Sequence, residues 1–169
     1  DFTEHMIVRL IQRARAGVKV RFMVDALYSD EEVLGRLNPS ILSLKDEENI
    51  EVLAVSPIGS RKQMDVSRLK KRDHRKLVII DGRLAFVSGR NASDEYYMGF
   101  SEVPVHDNTR HERIPWLDAH VEVSGPLVRM VQETFTGTWH RQGGAEIPND
   151  RDTMPKLKRA GSASGRLVV

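Results

Sequence analysis

The sequence contains no cysteine, and this absence excludes disulfide bonds and any chemistry that depends on a thiolate. No apolar run approaches the roughly 20 residues that a membrane-spanning helix requires. The first residues, 1–5, lack the charged and apolar regions of a signal peptide. Charged residues make up 30% of the chain but the net charge is only +2, which argues against a general polyanion binder.

Apolar residues make up 40% of the 169 residues, which is enough for one domain with a hydrophobic core. Helical spacing of apolar residues begins after Thr3, a predicted N-cap, and stops at Gly17. Helical and strand patterns then alternate along the chain, which predicts an α/β fold, a layered mixed β-sheet flanked by helices. The predicted strands cover 18–24, 50–55, 76–80, 83–87 and 116–123, and the further helices cover 30–37, 40–47 and 127–139.

A stretch of 23 residues, "DHRKLVIIDGRLAFVSGRNASDE", contains the residues that indicate chemistry. His74 and Lys76 lie two residues apart, so in a strand their side chains face the same way, and positions 89 (Gly) and 91 (Asn) likewise share one face. A neutral imidazole is a nucleophile or base near neutral pH, and a neighbouring ammonium stabilises charge on phosphate oxygens. Asn91 can donate to the same oxygens, so these groups predict a phosphoryl site that needs no metal.

The spacing from His74 to Asn91 resembles the signature of the phospholipase D superfamily, H-x-K-x4-D-x6-G-[SG]-x-N. The flanking sequence is most similar to the first half of bacterial cardiolipin synthases and related phosphatidyltransferases, over residues 3–141. The resemblance implies that His74 attacks phosphorus and forms a phosphohistidine, while Lys76 and Asn91 hold the non-bridging oxygens. It implies neither a cofactor nor a metal ion.

The resemblance also assigns the remaining site residues. Asp118 stands where the family carries a carboxylate that hydrogen-bonds the nucleophilic imidazole. Asp81 belongs to the motif, with the structural role of fixing the Asp-Gly turn. Ser88-Gly89 departs from the usual glycine followed by serine or glycine, so Ser88 is expected to face away from the site. The predicted catalytic residues are His74, Lys76, Asp81, Asn91 and Asp118, and the predicted substrate contacts are Lys76, Gly89, Asn91, His120 and Arg75.

The resemblance implies one phospholipase D-like half-domain over residues 1–143. Residues 144–165 are rich in Pro, Gly, Ser and charge, which predicts a linker, and 166–169 are expected to start the first strand of a second domain. The family's site needs two motif histidines, one to attack and one to protonate the leaving alcohol, and this chain has one motif. The other is expected from a second domain of a longer chain or from the second copy in a homodimer, so the isolated domain is expected to be inactive.

These inferences favour a phosphatidyltransferase or hydrolase that acts on an anionic phospholipid at the cytoplasmic face of a bacterial inner membrane. A nuclease or other phosphodiesterase of the same superfamily is the first alternative, because both chemistries cleave phosphodiesters. The lack of interleaved aromatic and basic residues argues against nucleic acid. The second alternative is a catalytically silent phosphate-binding domain, and the joint presence of His74, Lys76 and Asn91 argues against it.

Two further clusters have competing explanations. A basic run suits an anionic headgroup and equally suits a solvated surface; it comprises Arg68, Lys70, Lys71, Arg72 and Arg75. A metal site at His106, Asp107 and His111 is disfavoured because their spacing is loose.

Overall fold

The computed structural model describes residues 2–25, 39–55, 73–97 and 117–168. It contains helices and strands in alternation, so the predicted α/β layered fold is confirmed. The predicted helix at 30–37 lies outside the described residues. The elements, in chain order, are α1 (Phe2–Arg15), β1 (Val20–Asp25), α2 (Pro39–Lys45), β2 (Ile50–Val55), β3 (Lys76–Ile80), β4 (Leu84–Ser88), a 3-10 helix (Asp94–Tyr96), β5 (His120–Ser124) and α3 (Leu127–Arg141).

The chain divides into two compact units, each built from two stretches of sequence. The first unit consists of Asp1–Asp73 and Ala92–Leu117, and the second of His74–Asn91 and Asp118–Val169. The predicted catalytic residues and substrate contacts all belong to the second unit. No helix in the described part of the chain combines the length and the hydropathy needed to cross a membrane.

The first unit is built on a parallel pair of strands, β1 and β2, aligned from Val20 beside Ile50 onward. Helices α1 and α2 supply the buried core residues Ile7, Ala14 and Leu44, which cluster with Ile50. Met6, Leu10 and Ile11 pack against this cluster, so the apolar face predicted for α1 is the face that the core covers. Helix α1 ends at Arg15, and the predicted stop residue Gly17 follows two residues later with a φ of 91°, in the left-handed region.

The start of α1 is held by residues far along the chain, so the prediction of Thr3 as N-cap is wrong. The helix begins at Phe2, whose backbone N–H donates to Asp94 Oδ1 at 2.7 Å. The Thr3 hydroxyl instead donates to the backbone carbonyl of Ala92 at 2.5 Å. The Phe2 ring stacks on Tyr97 with 3.7 Å between ring centroids. A carboxylate at a helix N-terminus stabilises the helix, and here it comes from a residue that is distant in sequence.

The second unit is a three-stranded antiparallel sheet in the order β3-β4-β5 with α3 against one face. Ala85 of β4 is fully buried against Val128 and Val131 of α3. Side chains alternate along each strand, so the residues between those on the α3 face lie on the opposite face. The residues that pack against this cluster are Leu77, Ile79, Val87, Val123, Leu157 and Leu167.

The turn between β3 and β4 is the predicted Asp-Gly turn. Asp81 and Gly82 both have positive φ, at 50° and 61°, and the Arg83 N–H donates to the Ile80 carbonyl at 2.9 Å. The paired strands resume at Leu84 opposite Ile80, so β4 starts one residue later than the pattern predicts. Glycine is needed at position 82 because side chains other than Asn and Asp rarely adopt this conformation.

Residues 144–168, which include the stretch whose composition predicts a linker, contain no helix or strand and pack along the second unit. The Trp139 indole N–H donates to the Ala145 carbonyl at 2.8 Å, and Ile147 is buried. Leu157 packs against the cluster beneath the sheet. Residues 166–168 form no strand. This stretch therefore contributes to the core of the second unit although its sequence has no periodic pattern.

Candidate functional site

The strand register places three polar residues in one row at the end of the second unit's sheet. Lys76 opens β3 opposite Ser88, the last residue of β4, and Ser88 lies opposite His120, the first residue of β5. Directly opposed residues of antiparallel strands face the same side, so the three side chains are neighbours. The row is the first feature from which the candidate site is built.

The other predicted residues lie just beyond this row, with one exception. His74 comes two residues before β3, Asn91 three residues after β4, and Asp118 two residues before β5. Asp81 lies in the turn at the opposite end of the hairpin, so it is too remote to touch a ligand at the row. The structure thus shows Asp81 in the turn, and its structural role stays a prediction.

His74 and Lys76 both have side chains available for a ligand. His74 is exposed and Lys76 is partly buried. Neither side chain makes a hydrogen bond or an ion pair with another residue in the described part of the chain. An imidazole and an ammonium two residues apart are therefore free to act on one bound anion.

Asp118 is placed by the backbone around it. Its Oδ1 accepts the Ala119 N–H at 2.6 Å. The Gly89 N–H donates to the Ala119 carbonyl at 3.1 Å, which extends the pairing of β4 and β5 by one bond. The carboxylate then lies against Gly89, because a Cβ built on that glycine would be 2.5 Å from Asp118 Cγ. The structure thus brings Asp118 and Gly89 into contact at the end of the sheet.

The sequence reasoning missed one member of the row, Ser88, and one neighbour of it, Phe86. Phe86 stacks on His120 with 5.3 Å between ring centroids and orients the imidazole over the sheet. Ser88, expected to face away from the site, lies beside Lys76, and its Oγ accepts the Arg90 N–H at 3.0 Å. Lys76 and Ser88 lie the same number of residues before and after Gly82. The position of the turn in the sequence could therefore have predicted that these two residues pair.

Arg75 does not join the row, because its guanidinium donates to Thr138 Oγ1 of α3 at 3.4 Å. Alternation along the chain separates it from the side of Lys76, and the helix contact agrees with that separation. The basic residues 68–72 and the loop with His106, Asp107 and His111 lie outside the described residues. Among the residues that the structure does describe, no three His, Cys, Asp or Glu side chains are grouped to hold a metal ion.

Sequence comparison relates the chain to bacterial cardiolipin synthases over most of its length. It is 30% identical over 165 residues to the cardiolipin synthase of Alkalihalophilus pseudofirmus, which covers 95% of this chain and 28% of that protein. It is 33% identical over 130 residues to cardiolipin synthase 1 of Bacillus cereus, covering 77% of this chain and 22% of that protein. Cardiolipin synthase A of Pseudomonas fluorescens is 30% identical over 130 residues, which covers 77% of this chain and 24% of that protein.

The chain therefore spans about a quarter of the length of these curated relatives. No family model matches it, and no solved structure matches it significantly.

Proposed function

We propose that this chain supplies one half of the active site of a phospholipid phosphatidyltransferase or hydrolase. One observation supports the proposal: Lys76 lies in the row formed by strand pairing, and His74, Asn91 and Asp118 lie within three residues of the strand ends at that edge of the sheet. The similarity to cardiolipin synthases supports a phospholipid as the substrate. Phosphatidylglycerol, an anionic phospholipid with a free alcohol, is the substrate that fits this chemistry.

The proposed reaction has two displacements at phosphorus. A nitrogen of the His74 imidazole attacks the phosphodiester, a P–N bond forms, and the P–O bond to the leaving alcohol breaks. A second histidine, from a second motif, gives a proton to the leaving oxygen. An acceptor alcohol or water then attacks the phosphohistidine, the P–N bond breaks, and the acceptor's proton returns to the second histidine.

The other residues stabilise and orient the reacting groups. Lys76 and Asn91 are proposed to hold the non-bridging oxygens, whose negative charge increases in the transition state. Asp118 is proposed to accept a hydrogen bond from the His74 imidazole, which fixes its tautomer and stabilises its charged form. His120, stacked on Phe86, is proposed as a further contact with the substrate.

The second motif is proposed to come from another domain of a longer chain or from the second copy in a homodimer. The enzyme is proposed to work at a membrane, where its lipid substrate resides. No metal ion takes part in the proposed steps, because lysine and asparagine perform the charge stabilisation that a metal could otherwise give.

The test is phosphatidyl transfer by the full-length protein with phosphatidylglycerol, compared with single-stranded DNA in a parallel incubation. We expect phosphatidylglycerol to be consumed and DNA to remain intact. His74→Ala should lower turnover by about 10³-fold or more, because interdependent catalytic groups fail together. His5→Ala, an exposed histidine of the first unit, is the matched control and should leave turnover unchanged.

Two results would contradict the proposal. Near-normal turnover by His74→Ala would exclude this imidazole as the nucleophile. Consumption of DNA without consumption of phosphatidylglycerol would replace the lipid enzyme with a nuclease of similar chemistry.

A further inference from the structure

Ser88 occupies the middle of the row at the end of the second unit's sheet. It is the last residue of β4, and it lies opposite Lys76 on one side and opposite His120 on the other. Directly opposed residues of antiparallel strands face the same side, with Cβ atoms about 4.5–5.5 Å apart. The family signature has glycine at this position, so the resemblance assigns Ser88 no role in the site.

The Ser88 hydroxyl has a proton to donate. Its Oγ accepts the Arg90 N–H at 3.0 Å, which uses one of the two lone pairs and restricts the rotation of the side chain. A serine hydroxyl also carries one donor, and within the described part of the chain this donor meets no acceptor. Ser88 is half-buried, so the hydroxyl proton is left for water or for a ligand on the Lys76 side of the sheet.

The three side chains of the row differ in length in a way that suits a bound anion. A serine hydroxyl lies one bond beyond Cβ and stays close to the sheet, whereas the Lys76 ammonium stands at the end of a flexible four-carbon stem. The His120 ring is stacked on Phe86, with 5.3 Å between ring centroids, on the same face of the sheet. None of the three side chains is acidic. A phosphate above Ser88 can therefore accept the hydroxyl proton at one oxygen while the ammonium contacts another.

We infer that Ser88 is a substrate-binding residue, whose hydroxyl donates a hydrogen bond to a non-bridging oxygen of the phosphate that Lys76 holds. The inference rests on the proposed function and deepens it, since it adds a contact that the signature does not provide. The hydroxyl stays neutral and intact, and no bond to Ser88 forms or breaks at phosphorus. Its hydrogen bond should contribute measurably to affinity, because bonds to charged acceptors are stronger than bonds between neutral groups.

The experiment compares Ser88→Ala with Ser88→Thr in the full-length protein. Alanine removes the hydroxyl, and threonine keeps it on a side chain that strands favour. Ser124→Ala is the matched control, because Ser124 is an exposed serine on the same face, opposite Leu84 at the far end of the sheet. In phosphatidyl transfer from phosphatidylglycerol, Ser88→Ala should lower kcat/KM about tenfold, while Ser88→Thr and Ser124→Ala should stay within about twofold of wild type. Unchanged kcat/KM in Ser88→Ala, or an equal loss in Ser88→Thr, would overturn the inference.

A phosphorothioate analogue of phosphatidylglycerol separates a direct contact from an effect through the Arg90 backbone. Sulfur accepts hydrogen bonds weakly, and the two diastereomers carry it at different non-bridging positions. With one diastereomer, Ser88→Ala should cost less than about twofold, because wild type has already lost the bond, and with the other the loss of about tenfold should remain. Equal losses with both diastereomers would contradict the inference, since a rearranged backbone does not distinguish the two oxygens.

Binding of inorganic phosphate, measured by calorimetry, gives a reading that does not depend on phosphatidyl transfer. Ser88→Ala should weaken this binding about tenfold, and Ser124→Ala should leave it unchanged. Equal affinity of Ser88→Ala and wild type, or no binding by wild type, would count against the contact. A full-length protein that is inactive on phosphatidylglycerol would refute the proposed function, while the phosphate measurement would still decide whether Ser88 donates to a bound phosphate.

Discussion

At the scale of single residues, Lys76 combines a fixed backbone with an unengaged side chain. Its backbone is held in register opposite Ser88, and its ammonium has no ion-pair partner among the described residues. The aliphatic stem of a lysine can be partly buried while its ammonium stays in water. Such an ammonium is accessible to an anion, and the role of Lys76 in holding a phosphate stays a prediction.

Gly82 gives the first stability prediction. A Cβ at this position would meet the Thr153 carbonyl and would lie 2.8 Å from Pro155 Cδ, and φ is positive as well. Gly82→Ala should therefore lower the free energy of unfolding by about 1–3 kcal/mol, measured by urea denaturation. Gly161→Ala, with open space around it, should change it little. Equal stability of the two variants would mean that residues 153–155 do not pack on this turn.

The residue scale also shows where sequence reasoning succeeds and fails. The spacing of His74, Lys76 and Asn91 could be seen in the sequence because the three residues belong to one hairpin and its ends, and their joint role in a site stays a prediction. The close approach of Asp118 to Gly89 joins residues 29 positions apart through strand pairing, and no local pattern encodes that approach. Arg75 was expected to touch the substrate as part of a basic run suited to an anionic headgroup, and in the structure its guanidinium donates to Thr138 of α3, a contact that no local pattern encodes.

At the scale of elements, α3 is the helix that holds the second unit's sheet together. Val131 is 1% exposed beneath the sheet, while the adjacent Met130 is 41% exposed on the same helix. The two positions thus differ in burial but share a helical environment, which makes them a matched pair.

Val131→Ala should destabilise the protein by about 2 kcal/mol, because it removes buried methyl groups and leaves a cavity. Met130→Ala should cost clearly less, about 0.5 kcal/mol, because this residue is 41% exposed and leaves no enclosed cavity. Urea denaturation of both variants measures the difference. Equal losses of unfolding free energy in the two variants would show that Val131 does not pack between α3 and the sheet.

The turn at 150–154 predicts a pH dependence. Asp150 Oδ1 accepts the backbone N–H groups of Thr153 and Asp152, each at 3.0 Å, and the Thr153 hydroxyl. The hydrogen bonds from Thr153 are the main cause that holds the pKa of Asp150 below its ordinary value. A lowered pKa means that the charged form stabilises the fold above the pKa of the unfolded chain, and the contribution disappears as pH falls through the lower folded value.

Asp150→Asn removes that charge. We expect wild type to have the higher unfolding temperature at neutral pH, and the difference to shrink once the pH falls below about 4. Asp152→Asn is the control, because Asp152 is exposed and bonds to Asp150 only through its backbone N–H, which the substitution keeps. A difference that is independent of pH would contradict the charged hydrogen bonds.

The positions of the helices and strands were largely predictable from the sequence, but the pairing between strands was not. Periodic spacing located β2 at the predicted 50–55 and β3 at the predicted 76–80, because burial of one face imposes a period. The pairing of β5 onto β4 depends on long-range contacts, and strand order could not be deduced from the chain. Residues 144–168 have no regular spacing of apolar residues, so the sequence did not indicate that they pack against the sheet.

At the scale of the whole molecule, the chain covers about a quarter of its cardiolipin synthase relatives. The proposed mechanism needs a second histidine that the motif count in this sequence does not supply. As a monomer, the 169-residue chain should therefore transfer phosphatidyl groups about a hundredfold or more slowly than the full-length protein. Circular dichroism of the fragment would check that it is folded. Full activity of a monomeric fragment would contradict the need for a second motif.

The bond between Phe2 and Asp94 joins residues 92 positions apart and fixes the start of the first helix. The ribosome synthesises Phe2 long before Asp94. During synthesis, the first turn of α1 therefore lacks its hydrogen bond to Asp94 until that residue has been made. Contacts between such distant positions slow folding, because a long loop must close before they form. Nascent chains arrested before residue 92 should consequently show a frayed amino end in α1, and chains arrested well after residue 97 should not.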